Sequence, residues 1–110
     1  MDESDRVLEV LKRARALLAP EGAWCQGVIA RGKRGVSVDP RGGYAVSFCA
    51  AGALLAAGDS GHRANNFLFS HLPYQQPIAI GDWNDLPERT HQDVLDVFDR
   101  AIAARLSGAS

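Results

Sequence analysis

The stretch that most constrains this chain is SFCAAGALLAAG, residues 47–58, in which apolar or small side chains occupy nearly every position. It predicts a short helix over residues 48–57, with Ser47 as the N-cap and Gly58 as the C-terminal stop. Because almost no face of this helix is polar, the rest of the chain has to enclose it. Gly52 lies in mid-helix, where glycine costs about 1 kcal/mol relative to alanine. We therefore expect a neighbouring backbone or ring to pack closely there.

Amphipathic segments on both sides supply the enclosure. Apolar residues at helical spacing predict a helix that ends before Pro20, another over residues 59–72, and a last one that opens at Thr90. Thr90 and Asp93 approximate a capping box. The stretch between the last two helices, residues 73–89, is rich in turn formers and is predicted as a loop.

The segment after the first helix is typical of β structure. Two β-capable runs flank the glycine-bounded loop at residues 32–35, which predicts a small hairpin at about 26–39. The fold class is thus mainly α, with about four helices packed around the central helix (48–57). A chain of 110 residues is predicted to form a single compact domain, 1–110, with 107–110 as a frayed tail.

Charge and composition restrict the partners. The formal net charge is −1, so no global field selects for nucleic acid or membrane. However, residues 28–46 carry four basic residues against one acidic residue, and residues 81–110 carry an acidic excess. The acidic N-terminal sequence and the absence of a long apolar run predict a cytoplasmic protein without membrane contact. Cys25 and Cys49 are then expected to be reduced.

Four short motifs lie across the chain: WCQG at 24–27, FCAAGAL at 48–54, WND at 83–85 and RTHQDV at 89–94. In order and spacing they resemble an uncharacterised bacterial and phage family of small proteins, catalogued only as a domain of unknown function. The resemblance implies a compact, mostly helical domain in which these four segments converge. It names no catalytic residue, and its pattern leaves out all three histidines, which are His62, His71 and His91.

One set of residues suggests an enzyme. Cys49 lies near a predicted helix start, Gln26 precedes it, and His71 and Asn84 follow, which is the order of oxyanion donor, nucleophile, base and orienting residue in papain-like enzymes. The sequence around Cys49 lacks the papain-like nucleophile signature, and a small buried cysteine is a common alternative. A cysteine-dependent hydrolase or transferase is therefore the alternative function, not the leading one.

The basic loop suggests a third function. Arg31, Lys33 and Arg34 lie at the predicted hairpin tip, with Arg41 beyond it, and could contact nucleic acid or phosphate. The loop has no phosphate-binding glycine motif and no aromatic residue to stack on a base. No metal site is predicted, since His62 lies too far from His71 for one helical face.

The remaining acids, Asp82, Asp85 and Glu88, flank a turn beside Arg89, so we expect them to be solvated or salt-bridged rather than catalytic.

The two tryptophan motifs allow two interpretations. In the structural one, Trp83 enters the core, Trp24 packs on the central helix, and Gln26, Asn84 and Asp85 tie down loop backbone. In the functional one, the same residues form an exposed patch that binds a partner. Because no complete catalytic set, metal spacing or cofactor motif is present, the sequence favours a non-enzymatic regulatory module that contacts another protein. The phage distribution implied by the family resemblance leaves open a role in phage–host conflict.

Overall fold

The computed structural model describes residues 5–73 and 79–108, which form five helices and one two-stranded sheet. In chain order the elements are α1 (Arg6–Leu18), β1 (Ala30–Arg31), β2 (Ser47–Phe48), α2 (Ala50–Ala56), α3 (Arg63–Phe69), α4 (Ile80–Asn84) and α5 (His91–Leu106). The predicted fold class, mainly helical with a small antiparallel sheet, is confirmed. One helix was missed, because α4 lies in the stretch predicted as a loop; residues 74–78 of that stretch are outside the described residues.

The apolar helix lies in the middle of the fold, as predicted, but it begins later. α2 contacts α1, α3, α4 and β2, and α1 in turn contacts α5, so α1 and α2 share the centre. The N-cap of α2 is Cys49, whose Sγ accepts a hydrogen bond from the Gly52 amide at 3.3 Å. Ser47, the predicted cap, is instead part of β2 and is buried there.

The close approach expected at Gly52 is confirmed, and the neighbour is backbone, not a tryptophan ring. A Cβ atom at this position would overlap the carbonyl oxygen of Ile29 and lie 2.8 Å from its Cγ2. The same carbonyl accepts a hydrogen bond from the Cys49 amide at 2.9 Å. The absence of a side chain at Gly52 thus lets the segment before β1 lie directly on α2.

The hairpin extends further along the chain than predicted. β1 pairs antiparallel with β2, with Ala30 opposite Phe48 and Arg31 opposite Ser47. The expected partner run contributes one bridge, between Arg31 and Ser37. The difference arises because the apolar residues around Ser47 and Phe48 resemble the helix that follows them, whereas their backbone is extended and pairs with β1.

Two ion pairs link α1 and its cap to helix α5. Asp5 caps α1 through the Leu8 amide and also accepts from Arg105 Nε at 2.9 Å, while Arg15 Nε meets Asp99 at 2.9 Å. Burial acts to raise the pKa of Asp5, but the hydrogen bonds from Arg105 and Leu8 outweigh it and leave the pKa below its ordinary value.

The ends of α5 match the sequence signals. The predicted capping box is present, since Thr90 accepts from the Asp93 amide and Asp93 accepts from the Thr90 amide. In the predicted tail, the amides of Ser107 and Gly108 bond back to the helix. Residues 109–110 lie outside the described residues. Within the part of the chain that is described, no helix has the length and apolar character needed to cross a bilayer.

Candidate functional site

Asn84, at the end of α4, connects three separate parts of the chain. Its side chain is fully buried. Oδ1 accepts hydrogen bonds from Trp24 Nε1 at 2.7 Å and from the Ala50 amide at 3.0 Å. Nδ2 donates to the Cys25 carbonyl at 3.1 Å and to Asp85 Oδ1 at 2.9 Å. Both donor and both acceptor positions of the amide are therefore used.

Gln26 and Asp85 complete the arrangement, which we call the polar junction (Trp24, Gln26, Asn84 and Asp85). Gln26 Nε2 donates to the backbone carbonyls of Asn84 at 2.9 Å and Leu86 at 3.0 Å. The carboxylate of Asp85 accepts from the backbone amide that follows Gln26, at 3.0 Å. These contacts lay the WCQG segment directly against the WND segment, and Asn84 ties both to the start of α2.

The fourth motif joins from the other side. Arg89 places its guanidinium 4.2 Å from the centre of the Trp83 ring and donates from Nε to the Trp83 carbonyl at 3.0 Å. His91 stacks on Trp24 with ring centroids 6.1 Å apart, and its Nε2 lies 2.6 Å from the Leu18 carbonyl, so this nitrogen carries a proton. The convergence of the four segments implied by the family resemblance is confirmed.

The contribution of His91 was missed from the sequence. The motif pattern set all histidines aside, and no local spacing rule connects His91 with Trp24, 67 positions earlier in the chain. The one available signal was its place directly after the Thr90 cap, which turns the first helical side chain of α5 toward the preceding loops.

Burial decides between the two interpretations of the tryptophan motif. Trp83 is 1% exposed and lies in the core, as the structural interpretation predicted. Its indole N–H makes no hydrogen bond within the described residues. Asn84 is also buried, whereas Asp85 is exposed and Trp24 and Gln26 are partly exposed. The motif therefore holds the fold together, and only its edge faces solvent.

The proposed cysteine centre is brought together only in part. Gln26 is bonded to Asn84, and Asn84 bonds the amide next to Cys49. The ring of His71 bonds the Phe67 carbonyl at 2.9 Å, and no hydrogen bond in the described ranges joins it to the other three. Burial raises the pKa of the Cys49 thiol, which disfavours the nucleophilic thiolate at neutral pH.

The two cysteines are neighbours. Trp24 and Phe48 form a parallel bridge, so the residues that follow them, Cys25 and Cys49, lie side by side. Both are buried, and they form no disulfide with each other. Across residues 5–73 and 79–108, no group of three histidine, cysteine or acidic side chains has the arrangement of a metal site.

The basic loop divides into used and unused cations. Arg31 donates to the carbonyls of Gly35 at 2.8 Å and Gln26 at 3.0 Å, so its guanidinium stabilises the turn. Lys33 and Arg34 are exposed, and their side chains bond to nothing in the described part of the chain. A phosphate or nucleic-acid contact would thus rest on fewer cations than the sequence suggests.

Comparison with known proteins gives one match. A model described as a family of unknown function (DUF6197) matches residues 2–104. No curated protein and no solved structure matches the chain. The family match agrees with the resemblance drawn from the four motifs, and it brings no activity with it.

Proposed function

Starting from a chain that belongs to DUF6197, a family of unknown function, we propose that it is a small non-enzymatic module that binds another protein. The observation that carries the proposal is where exposed apolar side chains lie. Among residues 5–73 and 79–108, six large hydrophobic residues are exposed, and four of them fall within residues 29–46, here called the arm. They are Ile29, Val36, Tyr44 and Val46, and Tyr44 is 79% exposed.

Three of these residues, Val36, Tyr44 and Val46, belong to segments that lie close to residues 31–32, where the loop at residues 32–35 begins. A Cβ atom on Gly32 would lie 3.5 Å from the Tyr44 carbonyl and 4.0 Å from Val36 Cγ2. The Val46 amide donates to the Arg31 carbonyl at 2.8 Å. Scattered exposed apolar residues are ordinary on a protein surface, but a group of them on one small feature is typical of an interaction site.

The charge of the arm favours a partner with an acidic surface. Lys33 and Arg34 are unpaired within the described residues, and Arg41 makes only a loose ion pair with Asp39 at 3.9 Å. Apolar side chains edged with cations fit a protein surface that is acidic around an apolar centre. Nucleic acid is the less favoured partner, because valines cannot stack on bases and Tyr44 is the one aromatic residue of the arm.

The polar junction gives the arm a fixed base. Arg31 bonds the Gln26 carbonyl, and Gln26 is held by the loop after α4. On the other side, Ile29 is pinned to α2 by its contact with the Cys49 amide. A surface that is already ordered loses less entropy on binding, which supports recognition by a small area. A cytoplasmic setting and a role in phage–host conflict belong to this proposal and rest on the sequence.

The test compares two exposed substitutions in the native host. Tagged wild-type protein, Tyr44→Ala and the control Leu106→Ala are used for capture after crosslinking, with nuclease treatment of half of each sample. Leu106 is 63% exposed but lies at the end of α5, outside the arm. We expect the same partner with wild type and Leu106→Ala, and binding about 10- to 100-fold weaker with Tyr44→Ala, the range for an aromatic anchor.

Two results would contradict the proposal. Equal recovery of the partner with Tyr44→Ala and with the control would mean that the arm is not the binding surface. Capture that disappears on nuclease treatment and is unchanged in Tyr44→Ala would favour nucleic acid instead.

A further inference from the structure

A cleft lies between the first turn of α1 and the turn that joins α2 to α3. Its volume is about 340 Å³, at the lower end of the range for small-molecule sites. It is separate from both the arm and the polar junction. The lining residues are Arg6, Val7, Val10, Gly58, Asp59, Ser60 and Arg63.

Two arginines from distant parts of the sequence meet at this cleft. Arg6 lies in the first turn of α1, and Arg63 begins α3. Within residues 5–73 and 79–108, neither guanidinium makes a hydrogen bond or an ion pair. By contrast, Arg15 and Arg105 are each bonded to an aspartate at 2.9 Å. Two arginines without a partner on one concave surface provide planar donors for an anion.

The turn between α2 and α3 adds polar groups to the lining of the cleft. The hydroxyl and the amide N–H of Ser60 make no hydrogen bond within the described ranges. Asp59 is the one acid of the lining, and both of its carboxylate oxygens accept amide hydrogen bonds, from Ala64 at 2.9 Å and Asn65 at 3.0 Å. The carboxylate therefore serves to fix the turn, and the lining keeps an excess of one positive charge.

The turn itself has a defined shape. Gly61 and the next residue, His62, both have left-handed backbone conformations, with φ of 64° and 58°. In the described ranges, His62 is the only residue other than glycine with a positive φ. Together with the two bonds of Asp59, this backbone holds Ser60 and Arg63 in place. Val7 and Val10, each about 5% exposed, form an apolar floor.

We propose that this cleft binds a small phosphomonoester with a compact apolar group. The two guanidinium groups pair with the phosphate oxygens, Ser60 donates to the same group, and the apolar part packs on Val7 and Val10. A phosphate dianion suits two cations better than a carboxylate does, because it offers three charged acceptor oxygens. The site needs no residue of the arm, so it stands independently of the proposed protein contact.

Phenyl phosphate is the probe, with inorganic phosphate and phenol as its two halves. Binding is measured by calorimetry and by amide shifts in two-dimensional NMR spectra at low salt. We expect phenyl phosphate to bind more tightly than either half and to shift the amides of residues 58–63. Arg6→Gln and Arg63→Gln should each weaken binding about tenfold, the loss of one charge-assisted contact. Arg13→Gln, which removes an exposed arginine outside both the cleft and the arm, is the control and should bind as wild type does.

Three results would overturn the proposal. One is no binding at millimolar phenyl phosphate to wild-type protein that melts cooperatively. Another is an equal loss with Arg13→Gln, which would indicate a general charge effect. The third is shifts confined to amides outside residues 58–63. Melting curves of each variant separate a lost site from a lost fold.

Discussion

Replacing Asn84 by alanine tests whether the polar junction stabilises the fold. The substitution removes four hydrogen bonds and leaves three groups without a partner: Trp24 Nε1, the Ala50 amide and the Cys25 carbonyl. Asp85 Oδ1 loses one donor but keeps the Gly27 amide. Asp85 is exposed and Trp24 is partly exposed, so water can replace the lost bonds there. Ala50 and Cys25 are buried, and their backbone groups have no such replacement.

The magnitude follows from these buried groups. An unsatisfied buried donor or acceptor costs about 1–3 kcal/mol, so the two backbone groups alone account for about 2–6 kcal/mol. We expect Asn84→Ala to lower the free energy of unfolding by about 3–5 kcal/mol, a large part of the total for a domain of this size. The exposed Asn66 on α3 is a matched control, and Asn66→Ala should change stability by less than about 0.5 kcal/mol.

A second variant at the same site separates hydrogen bonding from packing. Asn84→Asp keeps the volume but turns an oxygen toward the Cys25 carbonyl and the Asp85 carboxylate in place of the N–H donors. Burial and the charge of Asp85 would raise the pKa of the new carboxyl, so the variant is closest to wild type when that group is protonated. Its deficit relative to wild type should therefore grow from pH 4 to pH 8.

Urea denaturation followed by circular dichroism measures all three variants at both pH values. A cost of less than about 1 kcal/mol for Asn84→Ala, no more than one ordinary net hydrogen bond, would mean that the polar junction does not stabilise the fold as described. An equal deficit of Asn84→Asp at pH 4 and pH 8 would mean that the buried N–H donors are not what the junction requires.

Two further predictions concern α2. Gly52→Ala should destabilise the protein by about 1–3 kcal/mol by forcing Ile29 away, whereas Gly81→Ala, in α4 with no atom near its Cβ position, should be neutral or slightly stabilising; thermal melts compare the two. The Cys49 thiol, whose pKa is raised by burial, should react with iodoacetamide much more slowly than a free thiol at pH 7. The pKa of the Cys49 thiol is higher in the folded than in the unfolded protein, so the thiol's contribution to the free energy of unfolding is present at neutral pH and is lost as pH rises through the folded pKa. The free energy of unfolding of Cys49→Ala should therefore fall less steeply with rising pH than that of wild type. Labelling as fast as a free thiol would contradict the buried position.

What the sequence predicted well was local. The last helix begins at Thr90 with its capping box because both partners lie within one turn. The apolar helix was found because composition alone requires its burial. α4 was missed because a five-residue helix with no side-chain cap has little local signal, and it forms where burial of Ile80 and Trp83 requires it.

The candidate site was predicted in its members but not in its contacts. Gln26, Asn84 and Asp85 were expected to fix loop backbone, as they do. The sequence did not indicate which segments Asn84 would join, and three of its four hydrogen bonds reach residues at least 34 positions away. An asparagine in a turn has the same sequence signature whether its amide bonds its own loop or another, so only the tertiary structure separates these cases.

The hydrogen bonds of the polar junction also show which of its groups the fold itself already uses. Two loops and a helix start bring backbone amides and carbonyls into the interior, and buried groups of this kind have to be paired. Asn84 and Gln26 pair them because an amide side chain both donates and accepts. Every position of the Asn84 amide is occupied by the protein itself, so it has nothing left to offer a ligand. Among the described residues, unpaired charge lies elsewhere, on Lys33 and Arg34 of the arm and on the two arginines of the cleft, where a ligand would add contacts without breaking those of the fold.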